Sequence, residues 1–136
     1  MPVKKYYYNT QYVSKRPTRF LNKKDKRYKG YVAFKERHGF SPDECWNLDD
    51  TMAEFLLPRL RYFRNHTIGY PRLIKSFEQW TAILDKIIWS FEQRLKHGWL
   101  PKDEYLQEIG LSRDVYEKRY RQGLKLFGKW WEALWW

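Results

Sequence analysis

Between Ser76 and Gly98 the chain sets Phe77, Trp80, Leu84, Ile87, Ile88, Phe91 and Leu95 in steps of 3, 4, 3, 1, 3 and 4. Only an α-helix brings that spacing onto one face. Ser76 offers an N-cap oxygen, Gln79 completes a capping box, and Gly98 suits the helix end. Glu78, Asp85 and Glu92 fall seven apart on a different stripe. A helix with so wide an apolar face must bury it against other elements.

Two further segments carry the same period. Ser41, Pro42 and Glu44 read as the cap, first turn and box of a helix. Its face is expected at Leu48, Met52, Phe55, Leu56, Leu60 and Phe63, with a kink near Glu54–Pro58 because Pro58 removes a backbone donor. Residues 66–72 form a loop by their Gly and Pro. After a short helical piece behind Pro101, Ser112 caps a last helix whose face is Tyr116, Tyr120, Leu124, Phe127, Trp131 and Leu134. If continuous from Arg113 to Trp135 it measures roughly 35 Å. Gly123 and Gly128 weaken it but admit a close neighbour. Residues 31–38 fit a short strand or a helical turn equally. The expected fold is all-α: a compact bundle of three main amphipathic helices plus short ones, residues 31–136, preceded by a basic arm, residues 1–30.

That arm holds ten Lys or Arg against one acid, Asp25, a balance of +9 in a chain of +11. It shows no sustained period and is expected to be extended or disordered when free. A segment so charged calls for an anionic partner. Lys4, Lys5, Lys15, Arg16, Arg19, Lys23, Lys24, Lys26 and Arg27 are the candidate phosphate contacts, and Tyr6, Tyr7 and Tyr8 are candidate stacking groups. A second basic row, Arg59, Arg61, Arg64 and Arg72, could join Lys118, Arg119, Arg121 and Lys125 around a phosphate pocket.

Other clusters read as structural. Asp43, Glu44, Asp49, Asp50 and Glu54 could serve acid–base or metal chemistry, but nothing in their surroundings predicts burial. Asp43 and Glu44 suit a first helical turn, and Asp50 and Glu54 should face solvent or arginines. Cys45 is the single cysteine, which rules out an internal disulfide and reads as a small packing residue beside Trp46. With three scattered histidines it makes no zinc set. The Glu78, Asp85 and Glu92 stripe is a solvated face or a seat for the basic arm. We expect no enzyme, no cofactor and no metal. No apolar run reaches the roughly 20 residues that cross a bilayer, and the first residues lack the apolar core of a signal peptide. The ending GKWWEALWW places Trp130, Trp131, Trp135 and Trp136 either in the core or at an interface with a partner or a second copy.

The block GFSPDECWNLDDTMAEFLLPRL, residues 39–60, with Gly69-Tyr70-Pro71, WTAILDKIIWSFE and GLKLFGKWWEALW, resembles a recurrent pattern in small phage-encoded proteins of unknown function. The likeness spans residues 39–135 and leaves the basic arm outside. It implies a viral origin and action in the host cytoplasm. Together these readings predict a non-enzymatic phage accessory protein that binds nucleic acid or another polyanion. The alternatives are an anti-defence protein that inhibits a host immune protein by direct binding, and a protein that sequesters a small nucleotide signal in an Arg-lined pocket.

Overall fold

A computed structural model describes residues 16–135. Their regular elements are all helical: α1 (Tyr28–His38), a 3-10 turn (Pro42–Cys45), α2 (Leu48–His66), α3 (Phe77–His97), α4 (Asp103–Ile109), α5 (Arg113–Lys129) and a 3-10 turn (Trp131–Ala133). The all-α expectation and its three main helices, α2, α3 and α5, hold. The chain divides into two units at Pro58–Arg59, inside α2, where the proline lacks the N–H that would bond back along the helix.

In the first unit Asp43 is the organising residue. Its fully buried carboxylate accepts the backbone N–H groups of Arg19 (2.9 Å), Phe20 (2.7 Å) and Leu21 (3.2 Å), and the Ser41 hydroxyl (2.5 Å). Three consecutive amides around one carboxylate fix the path of the chain before α1. Beside it, the Ser41 N–H donates to Glu44 (2.8 Å), and Thr51 donates to the Glu44 carbonyl (2.6 Å). Asp43 and Glu44, for which the sequence predicted no burial, are therefore buried, whereas Asp49 in the same block is exposed. Buried N–H donors replace the water that a surface carboxylate would keep. The Ser41 and Glu44 signal is real, but it opens a 3-10 turn, and α2 begins only at Leu48. Residues 31–38, open between strand and turn in the sequence, lie in α1, which ends at Gly39 with φ +88°.

The expected face of α2 is also corrected. Leu48 (52% exposed), Met52 (48%) and Phe55 (41%) point away from the core, and Thr51, Ala53 and Leu57 are buried in their place, while Leu60 is buried as expected and Leu56 and Phe63 are half-buried. Cys45 is exposed as well, so it does not act as a packing residue.

The second unit rests on α3. Of its expected face, Trp80, Leu84, Ile87 and Phe91 are buried, Ile88 and Leu95 are half-buried, and Phe77 is exposed. The Ser76 hydroxyl accepts the Gln79 N–H, and the Gly98 N–H closes the helix on Arg94. α5 lies along α3 with Gly123 against Ser90. The Ser90 hydroxyl donates to the Tyr120 carbonyl (2.8 Å) and, more weakly, to the Lys86 carbonyl (3.4 Å). Gln93, buried on α3, accepts the hydroxyls of Tyr105 (2.8 Å) and Tyr116 (3.2 Å), which ties α4 and α5 to one side chain. α5 stops at Lys129, short of the expected Trp135, and Trp130 closes it. Trp130 packs edge-on against Trp80, with ring centres 6.0 Å apart.

Candidate anion-binding surfaces and an aromatic groove

Among the nine cations proposed for phosphate, Lys4, Lys5 and Lys15 lie outside the described residues, as do Tyr6, Tyr7 and Tyr8. Arg16 is exposed. Arg19 is buried, and its guanidinium forks onto Glu54 (2.6 and 3.2 Å), so its charge is committed inside the fold. The reading of Arg19 as a phosphate contact does not fit that position. The expectation that Glu54 meets an arginine does. Lys23, Lys24 and Lys26 are exposed on the turn before α1, and Lys29 is exposed on its first turn. Arg27 forks onto Asp25 at 3.0 Å through Nε and Nη2. The Arg27 side-chain hydrogen bond, joined by its backbone N–H, lowers the Asp25 carboxyl to a pKa of about 2.

The segment that carries these lysines also contributes to an aromatic surface. Phe20 lies parallel to Trp46 with ring centres 6.0 Å apart and 6° between planes, and both are partly exposed. Tyr31 meets Trp46 edge-on, and the Arg27 guanidinium lies 5.1 Å over the Trp46 ring. Flat apolar rings beside several ammonium groups can stack bases and hold phosphates together.

The second basic row divides differently. Arg64 forks onto Asp85 (2.8 and 3.1 Å), and Arg61 pairs with Glu92. Two members of the acidic stripe on α3 are thus met by α2 arginines, and Arg59 remains on the surface. Hydrogen bonding to Asp85 holds the Arg64 guanidinium above its ordinary pKa. Arg61 and Arg64, expected to line a phosphate pocket, are thus engaged in ion pairs with α3 carboxylates. A cleft of about 460 Å³ lies instead between α3 and α5, lined by Asp85, Lys86, Trp89, Arg119 and Gln122. Arg119 was in the expected set. Lys86, Trp89 and Gln122 were not, although Lys86 with Trp89 and Arg119 with Gln122 each stand three apart, as one-faced helical pairs do.

The tryptophan tail borders a third feature. Cavities of about 610 Å³ and 290 Å³ share Pro71, Ala133 and Trp135. Trp80 and Ile68 line the smaller one, and Trp130 and Trp131 the larger. Trp131 is 61% exposed and Trp135 75% exposed, whereas Trp130 is half-buried. Trp136 lies outside the described residues.

No grouping of three or more His, Cys, Asp or Glu side chains suited to a metal occurs among the described residues, and no described helix is long and apolar enough to cross a membrane. Compared with known protein families, curated proteins and solved structures, the chain finds no match in any of the three.

Proposed function

We propose that this protein is a non-enzymatic binder of nucleic acid or a like polyanion, and that it serves a phage in the host cytoplasm. The observation that carries the reading is the partly exposed Phe20–Trp46 stack, with Arg27 over the Trp46 ring and the exposed Lys23, Lys24, Lys26 and Lys29 in the chain segment between Phe20 and Tyr31. Exposed ammonium groups release counterions from a phosphate chain, and adjacent rings accept unstacked bases. The basic arm, outside the described residues over its first half, extends the same charge along the chain. The phage context rests on the resemblance of residues 39–135.

The test is binding of the full chain to labelled single-stranded DNA and RNA across a salt series. Affinity should fall steeply with salt. Replacing Lys23, Lys24, Lys26 and Lys29 by Ala together should flatten the slope of log affinity against log salt by roughly 3, at about 0.7 per lost phosphate contact. Trp46→Ala should weaken binding while leaving the slope unchanged. An unchanged slope in the lysine variant would remove this reading.

A second reading is direct inhibition of a host protein, favoured by the exposed Ile68, Trp131 and Trp135 at the aromatic groove. It expects a stoichiometric complex that survives high salt and is lost in Trp135→Ala.

A further inference from the structure

We propose that the cleft between α3 and α5 is a second, separate ligand site, and that it takes a nucleoside phosphate. Its volume of about 460 Å³ lies within the range of small-ligand pockets, roughly 300–1,000 Å³. Each lining group has a counterpart on such a ligand. Lys86 and Arg119 are exposed cations on opposite helices, so a phosphate between them would be met from two sides. Trp89 supplies a flat apolar surface for a base, and it is held in place by Tyr116, whose ring meets it edge-on at 5.4 Å. Tyr116 is itself buried and bonded to Gln93, so the indole rests on a rigid support. Gln122 presents an amide that can both donate to and accept from a base edge.

Asp85 at first looks wrong for an anion site. Its carboxylate, however, is forked by Arg64, which offsets its charge. Each Asp85 oxygen keeps a further lone pair for a ribose hydroxyl. The site thus combines two cations, one neutralised acceptor, one amide and one ring, a set that a bare phosphate or a bare base would only half use. The same chemistry is found in a free mononucleotide and in one residue of a nucleic acid strand.

Calorimetric titration of the full chain tests this with AMP, adenosine, inorganic phosphate and a short single-stranded oligonucleotide. AMP should bind saturably, and adenosine and phosphate more weakly. Arg119→Glu and Lys86→Glu, both at exposed positions, should each weaken AMP at least about tenfold. The control Lys75→Glu, at an exposed position outside the cleft, should leave AMP binding unchanged. If oligonucleotide affinity falls with AMP affinity in Arg119→Glu, the site receives a nucleotide of a strand. If only AMP weakens, it receives the free nucleotide. Trp89→Leu should abolish the preference for AMP over inorganic phosphate. Should that variant lose its fold, the two charge reversals still decide. The proposal is overturned if about 1 mM AMP gives no binding, or if AMP binds equally well to wild type, Arg119→Glu and Lys86→Glu. Loss of the lysine surface before α1 would not touch this result, so the two sites fail separately.

Discussion

Gly123 on α5 and Ser90 on α3 touch so closely that a methyl group at Gly123 would fall 1.8 Å from the Ser90 Oγ and 2.5 Å from the Lys86 carbonyl oxygen. Ser90 uses the closeness to donate to the Tyr120 carbonyl on α5. Gly123→Ala should therefore destabilise the protein by about 1–3 kcal/mol through overpacking. Alanine's better helix propensity, worth up to about 1 kcal/mol, offsets only part of that. The Ser90 hydroxyl can turn aside, but the Lys86 carbonyl belongs to the helix backbone and cannot. Adding Ser90→Gly to Gly123→Ala should recover part of the loss, and denaturant unfolding of the single and double variants would measure it.

Asp43 should dominate the acid stability of the first unit. Burial pushes its carboxyl up. The Ser41 hydroxyl and the Arg19, Phe20 and Leu21 amides outweigh that, so it lies below the ordinary carboxylate value. A carboxyl depressed by folding adds stability above its unfolded pKa of about 3.9, and that stability is lost as pH falls through the lower folded value. Asp43→Asn should cost about 2–4 kcal/mol at neutral pH, because its amide turns a donor toward groups that themselves donate. The difference from wild type should shrink in thermal melts below about pH 4. A constant difference across that range would count against the assignment.

Arg19 and Lys24 stand five residues apart in one basic segment yet should behave in opposite ways. Arg19→Ala leaves Glu54 without its fork inside the fold. It should cost about 1–3 kcal/mol of stability, with Glu54 partly solvated, and should not alter the salt dependence of nucleic acid binding. Lys24→Ala, at an exposed position, should change stability by less than about 0.5 kcal/mol and flatten the salt slope by about 0.7. Paired melts and salt titrations separate the two.

Tyr116 gives the second unit an alkaline limit. Burial foremost, with Tyr105, Tyr120 and Glu117 nearby, raises its hydroxyl to a pKa of about 12. The unfolded phenol ionises near about 10, so the folded state holds its proton longer. The corresponding stability is fully present below about pH 10 and is lost as pH rises toward 12. Tyr116→Phe should remove that decline. It should cost only about 1 kcal/mol at neutral pH, because Gln93 keeps the Tyr105 hydroxyl. Unfolding free energies between pH 8 and about 11 would show whether the two curves converge.

The chain's sequence alone determined the features whose causes are local. Ser76 and Gly98 bound α3, and Ser112 caps α5, because caps act within one turn. The stripe Trp80, Leu84, Ile87 and Phe91 lies along one face of α3 because helical spacing places it there. Of the two glycines expected to admit a close neighbour, Gly123 does so, whereas a methyl group at Gly128 would meet nothing within 4 Å, so the sequence did not say which of them faces α3. What only the tertiary structure decided depends on residues far apart in the chain. Residues 28–38 form a helix despite weak periodicity. Leu48, Met52 and Phe55 share a helical face with the right spacing, yet that face is exposed, because spacing says which residues lie together and not which side meets the core. Arg19 and Glu54 are 35 residues apart, and Asp43 meets its three amides across more than 20, so no local pattern marks them as buried partners. The cleft likewise exists only where Lys86 and Trp89 on α3 come opposite Arg119 and Gln122 on α5, a meeting set by helix packing.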